Sequence, residues 1–169
     1  EFQGYAQMYL GPEMPLVFEG LSDRWQIGVS LSGDKFEQVS FVNGIMTSKG
    51  GKHVDCITKQ LTTMIQTLIK KKTKKEVSET YIKNYLKVFI DCMIVNPSFD
   101  SQTKERLITT PSKFGSKPVV TDKFVKRLLD KTDLMDRVLS FAEFKLNKET
   151  KKTDGQKRSR VRDIPKLDD

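Results

Sequence analysis

The sequence predicts an α/β (α+β) sandwich that ends in paired helices. Three observations carry that reading. Trp25, Ile27, Val29 and Leu31 alternate with Gln26, Gly28 and Ser30, the period of a strand with one buried face. Val54, Ile57, Leu61, Met64 or Ile65, and Leu68 recur every three or four residues, the period of an amphipathic helix. Leu86 to Val95 is apolar and partly β-branched or aromatic, as in a strand covered on both faces.

Taken in order, residues 1–23 are mixed, with turn chemistry at Gly11-Pro12 and Met14-Pro15. The alternating segment from Trp25 is followed by a turn, Ser32-Gly-Asp-Lys35. Phe36 to Met46 reads as the returning strand of a hairpin. Thr47 to Lys52 is a glycine-bearing loop before the helix at 53–70, which runs into Lys70-Lys-Lys-Thr-Lys-Lys75. Ser78 is placed to cap a short helix reaching Tyr85. Pro97 closes the central strand, and a lysine- and serine-rich loop spans 109–118. Thr121-Asp122 starts one helix, with Phe124, Val125, Leu128 and Leu129 on one side. Thr132-Asp133 starts a second, with Leu134, Val138, Leu139, Phe141, Phe144 and Leu146. Beyond 147 the chain is polar, rich in Lys and Arg, and expected to be extended.

The totals bound the function. At 169 residues the chain is long enough for one cored domain plus an extension. Its net charge of +8 favours polyanionic partners, nucleic acid or nucleotide phosphates, without establishing them. Cys56 and Cys92 sit inside apolar patterns with no metal spacing, so both read as small buried hydrophobes in a reducing compartment. No apolar run is long enough to cross a bilayer and no signal peptide is visible, so no membrane partner is expected. The absent initiating Met and the Asp168-Asp169 end give the look of an excised piece.

Several segments, in order, resemble one family. Arg24-Trp-Gln-Ile-Gly-Val-Ser-Leu31, Gln38-Val-Ser-Phe-Val-Asn43 and Gly50-Gly-Lys-His-Val-Asp55 are similar to the transducer, the second ATPase subdomain of type IIA DNA topoisomerases. Asn96 to Leu107 resembles that family's Gln-Thr-Lys loop. Ile164-Pro-Lys-Leu-Asp-Asp169 resembles the junction into its metal-binding TOPRIM domain, and Phe2, Tyr5, Tyr9 and Leu10 resemble its first helix after the ATP-binding domain. Phe99-Asp100-Ser101, where bacterial relatives usually have Phe-Glu-Gly, gives the resemblance a eukaryotic flavour, as does the C-terminal hexapeptide. Gly44 departs from the family's common serine, and the 109–118 loop matches only through Phe114-Gly115-Ser116.

The resemblance implies a ribosomal protein S5 domain 2-like sandwich with a left-handed crossover and a C-terminal helical arm. Crossover rules alone would give the opposite hand. It implies a transducer over 1–150, with its C-terminal helices from about 121, then a basic linker over 151–169 leading to an absent TOPRIM domain. It further implies ATP and Mg2+ held mainly by an absent GHKL domain, and further Mg2+ in the TOPRIM domain. Implied partners are DNA, the GHKL domain and the TOPRIM/cleavage core of the same polypeptide, and a second copy in a full-length homodimer. The implied compartment is the nucleus, or the cytoplasm for a cytoplasmic virus.

Two clusters are singled out. A lysine chosen blind at a loop tip merely solvates, but one set after a rigid strand can reach a phosphate supplied from outside. The resemblance implies that Gln102, Thr103 and Lys104 contact the terminal phosphate of ATP in the neighbouring domain, with Lys104 also the catalytic cation and Gln102 supporting it. Lys70, Lys71, Lys72, Lys74 and Lys75 in part suit a helix C-terminus, whose dipole favours cations. Five lysines in six positions exceed what that end needs. Similar enzymes carry a lysine loop there, which implies phosphate contacts to DNA without sequence preference. His53, the sole histidine, has no carboxylate or cysteine cluster and reads as helix N-terminal packing or capping, and Gly50-Gly51 as a turn. No metal ligands are expected. Lys157, Arg158, Arg160 and Arg162 read as linker. Two alternatives stand beside this reading: a free-standing basic nucleic-acid-binding α/β module, and the middle domain of another GHKL ATPase.

Overall fold

The computed structural model describes residues 2–11, 14–33 and 35–148. The elements are α1 (Phe2–Leu10), β1 (Val17–Ser22), β2 (Trp25–Leu31), β3 (Glu37–Val42), β4 (Ile45–Met46), α2 (Lys52–Thr73), α3 (Glu79–Asn84), β5 (Leu86–Cys92) and α4 (Asp122–Lys131). A fifth helix, α5, covers 134–148. The strands form one mixed sheet in the order β1-β2-β5-β3-β4.

The side-chain alternation of each strand sorts two cores onto the two faces of this sheet. Trp25, Ile27, Val29 and Leu31 of β2 join Leu86, Val88, Ile90 and Cys92 of β5 on one face. Ile57, Leu61, Ile65 and Ile69 of α2, Phe124 and Leu128 of α4, and Leu134 and Val138 of α5 cover them. Phe89 points the other way and forms a smaller core with Val39 and Ala6, flanked by Phe2, Leu10, Leu16 and Phe41. Gly28 lies opposite Phe89, and a Cβ there would stand 3.1 Å from Leu16 and 3.5 Å from Phe18.

The expected alternation at Trp25–Leu31 and the amphipathic helix are present, and the central strand expected over Leu86–Val95 is present but ends at Cys92, before Pro97 is reached. The expected hairpin is not. β2 and β3 do not pair; β5 lies between them, antiparallel to β2 and parallel to β3. The turn chemistry read at Ser32-Gly-Asp-Lys35 is a local signal and says nothing of which strands pair. Long-range burial decides the pairing: β5 buries Leu86, Val88, Ile90 and Cys92 on one face and Phe89 on the other, and a place between two strands covers it best. After β2 the chain instead bonds to the approach to β5, through Ser32 N–H to Tyr85 O at 2.9 Å and Ser32 Oγ to Asn84 O at 2.8 Å. Phe36–Met46 is also not one strand, since Asn43 (φ 50°) and Gly44 (φ 82°) turn β3 back into β4. β1, hidden in a segment read as mixed, pairs antiparallel with β2.

α2 runs longer than its apolar stripe, so Lys70, Lys71 and Lys72 lie in its last turn. Ser78 and Thr121 cap α3 and α4 by accepting from Thr80 N–H and Phe124 N–H. On α5, Phe141 packs edge-on against Tyr81, with ring centroids 4.9 Å apart, whereas Phe144 and Leu146 are exposed rather than part of the buried face. Cys92 is buried and Cys56 half-buried, both as free thiols. The boundary at 150, the basic linker and the C-terminal hexapeptide lie outside the described residues. Among the described residues no helix is long and apolar enough to cross a membrane.

Candidate functional site

The Gln-Thr-Lys segment sits at the tip of a chain reversal with two fixed feet. Phe99 and Leu107 form an antiparallel bridge, and Asp100 N–H donates to Arg106 O at 3.2 Å. Leu107 is fully buried and Phe99 packs against the main core. Between these feet Lys104 N–H donates to Ser101 O at 3.2 Å, and the Ser101 and Thr103 hydroxyls lie 2.6 Å apart. Gln102, Thr103 and Lys104 are all exposed. Lys104 has φ 57°, the left-handed region, which costs a residue with a Cβ on the order of 1 kcal/mol. Such strain recurs at functional sites where the surroundings impose it.

Those surroundings are the loop before α2. Leu107 N–H donates to Gly50 O at 3.1 Å, Lys52 N–H to Leu107 O at 3.0 Å, and Lys49 N–H to Glu105 O at 2.9 Å. The Lys49 ammonium adds a 3.2 Å ion pair to Glu105. The outgoing arm of the lysine loop is thus hydrogen-bonded along residues 49–52. Gly51 (φ 136°) is required there, because a Cβ would lie 2.4 Å from Leu107 O and 2.5 Å from Leu107 N. The sequence marked Gly50-Gly51 as a turn; its second purpose, the close passage of another backbone, has no local signal. This docking also occupies the Lys52 N–H at the start of α2, which is turned to Leu107 rather than outward.

His53 follows, fully buried in the first turn of α2. Burial lowers its pKa to about 4, so it is neutral near pH 7. It packs inside the fold rather than capping the helix. Its Nε2 lies 3.0 Å from Thr47 Oγ1, and its Nδ1 has no hydrogen-bond partner among the described residues.

The lysine cluster occupies the other end of α2. A helix of 22 residues is about 33 Å long, so the two candidate sites stand at opposite ends of one rod. Lys74 closes the helix in the left-handed conformation (φ 64°), its N–H donating to Lys70 O at 2.8 Å. The five lysines are not equivalent. Lys70 is held by Glu76 and Lys75 by Glu143 of α5, each at 2.8 Å. Each partner lysine holds its glutamate below the usual carboxylate range. Lys71, Lys72 and Lys74 are exposed and make no ion pair among the described residues. Among the described residues no group of three or more His, Cys, Asp or Glu side chains is placed to hold a metal ion.

A mixed sheet between helices, with a lysine presented from a fixed loop, has clear relatives. The family model for DNA gyrase B matches residues 2–159, and the chain belongs to that family of type II DNA topoisomerases. Its relatives carry the name DNA topoisomerase 2. The protein of Arabidopsis thaliana is 44% identical over 177 residues, covering 99% of this chain and 12% of its own length. That of Saccharomyces cerevisiae is 40% identical over 154 residues, covering 91% and 11%. The crystal structure of the ATPase and transducer domains of DNA topoisomerase II from Balamuthia mandrillaris superposes with a TM-score of 0.80 at 45% identity, covering 86% of this chain and 37% of that one. The crystal structure of the ATPase region of Saccharomyces cerevisiae topoisomerase II gives 0.76 at 37%, covering 84% and 36%. The chain is therefore homologous to part of the ATPase region of type II topoisomerases. It spans about an eighth of the length of the named relatives and about a third of the solved ATPase regions.

Proposed function

We propose that this chain is the transducer of a eukaryotic-type, ATP-dependent DNA topoisomerase II. In this reading the whole enzyme changes DNA topology by passing one duplex through another. The chain alone is catalytically silent, and its part is to sense the terminal phosphate of ATP through Lys104 and relay its loss. The observation that carries the reading is the exposed, backbone-anchored Lys104 at a strained loop tip. Of the two solved structures compared above, one is described as an ATPase region and the other as ATPase and transducer domains.

The residues fit a phosphate met from outside. Lys104 offers an exposed ammonium with no ion pair among the described residues, Gln102 an exposed amide two positions before it, and the ladder to residues 49–52 limits how far either can stray. ATP would supply the terminal phosphoryl group, with Mg2+ and most of the nucleotide held by a GHKL domain. A fixed cation there would neutralise charge developing on the departing phosphoryl oxygens. The contact would exist with ATP and vanish once the phosphate leaves, so the two states differ in contact energy, as any ligand-driven shift requires. α2 would carry the change as a rod toward the lysine cluster. Lys71, Lys72 and Lys74 would there meet DNA phosphates, with Lys70 and Lys75 released from their glutamates on demand. A left-handed crossover between β3 and β5, a role for α5 in an arm toward the cleavage core, a homodimer, a TOPRIM domain with its own Mg2+ and a nuclear location complete the proposal.

The experiment is Lys104→Ala in the complete enzyme. Steady-state ATP turnover should fall by on the order of a hundredfold or more, as when a preorganised charge-stabilising donor is removed, while nucleotide affinity is retained. Unchanged turnover would remove Lys104 from the reaction.

A further inference from the structure

A buried hydrogen-bond chain lies directly beneath the ledge that carries the lysine loop. Gln38 Nε2 donates to Thr47 O at 3.3 Å and Ser48 O at 3.1 Å, which fixes its amide orientation and leaves Oε1 as an acceptor. Ser40 Oγ donates to that oxygen at 2.6 Å. The Thr47 hydroxyl, 2.6 Å from Ser40 Oγ, then has to donate to it. His53 Nε2, 3.0 Å from Thr47 Oγ1, in turn donates to Thr47. This bonding order assigns the Nε2–H tautomer and leaves Nδ1 as a bare lone pair with no partner among the described residues. The chain ties β3, residues 47–50 and the first turn of α2 into one unit. Gly50 and Lys52, which clasp Leu107 from both sides, belong to that unit.

A histidine that only filled space here would be a poor choice. An unpaired buried ring nitrogen is costly, and an apolar side chain of similar size would avoid that cost. We propose that His53 is a positioning residue for Lys104: its Nε2–H, acting through Thr47, Ser40 and Gln38, fixes the 47–52 ledge on which the arm 105–107 is docked. The inference rests on the reading of Lys104 as the phosphate-contacting group. It assigns His53 no contact with nucleotide. The neutral ring, favoured by burial, keeps this donor pattern constant near pH 7.

The test is a double-mutant cycle in the complete enzyme, reading ATP turnover, KM for ATP and thermal midpoint. His53→Leu should lower kcat about tenfold, as expected for a small misplacement of a reacting group. KM should stay within about twofold and the midpoint should not fall, a split that removal of a merely structural residue would not give. His53→Gln, which keeps an N–H donor, should recover much of kcat. In a Lys104→Ala background His53→Leu should cost nothing further. Thr47→Val breaks the same chain at its next link and should reproduce the kcat loss, so a His53→Leu protein that fails to fold still leaves a decision. Unchanged kcat in folded His53→Leu or in Thr47→Val, or a full additional loss in the Lys104→Ala background, would overturn the proposal. If Lys104→Ala alone keeps full turnover, the phosphate-contact reading fails instead.

Discussion

The two ends of α2 each present lysine, and they do so by opposite means. At the N-terminal end one exposed cation at the loop tip, Lys104, is held by a backbone ladder, a glycine with no room for a Cβ and a buried polar chain. At the C-terminal end five lysines crowd six positions around the last turn and cap of α2, and among the described residues only two of their side chains are held, by ion pairs with exposed glutamates. Of the non-glycine residues with positive φ among the described residues, two are asparagines and two are lysines, Lys104 and Lys74, one at each end. One end fixes a single loop-tip lysine by a ladder to another segment, whereas the other accumulates charge on a helix end. The first arrangement suits a partner that must be met at one point, the second a polyanion that can be met anywhere along its length.

The largest way to break this contrast is at Gly51. Gly51→Ala drives a methyl group into the Leu107 backbone and should destabilise the chain by on the order of 3 kcal/mol or more in urea unfolding. A loss under about 1 kcal/mol would show that the ledge can yield, and that Lys104 is less fixed than its ladder implies.

The next effect belongs to His53 and is read by pH. Its folded pKa, about 4, lies below the ordinary 6.5, so the unfolded chain binds the extra proton first. Stability from this group is at its plateau above pH 6.5, falls as pH drops from 6.5 toward 4, and is level again below that. Between pH 7 and pH 5 the fall should be about 2 kcal/mol, by linkage over the part of the shift crossed. His53→Leu should lack that component, and equal pH slopes in the two proteins would mean that the imidazole is not buried neutral.

The smallest effect is expected at the far end. In the complete enzyme, replacing Lys71, Lys72 and Lys74 together with Ala should flatten the salt dependence of DNA binding. The log–log slope should drop by up to about 0.9 for each DNA phosphate that is no longer neutralised. Replacing Lys70 and Lys75 should flatten it less, because those two are shared with glutamates. Equal slopes for the two sets would erase the distinction drawn among the lysines.

What the sequence made legible follows the range of the interaction. Elements set by local periodicity were readable: the alternation of β2, the stripe of α2, the Phe124–Leu129 face of α4 and the Ser78 and Thr121 caps. Pairing was not, because the turn chemistry of Ser32-Gly-Asp-Lys35 carries no trace of β5 lying between β2 and β3. The Gln102-Thr103-Lys104 tip was visible as a motif, yet the ledge that anchors it joins residues about fifty positions apart. Gly51 shows only as a glycine and His53 only as a solitary histidine; the close approach and the polar chain emerge in three dimensions. The five lysines were visible as a run, while the pairing of two of them depends on Glu76, which is near in sequence, and Glu143, which is not.

The most direct measurement is a structure of the complete enzyme trapped with a non-hydrolysable ATP analogue. Lys104 Nζ should lie within hydrogen-bonding reach, about 3 Å, of an oxygen on the terminal phosphate, with the 49–52 and 105–107 segments still bonded to one another. An ammonium group turned to solvent and well away from the triphosphate, in a closed and nucleotide-filled enzyme, would contradict the role given to this loop.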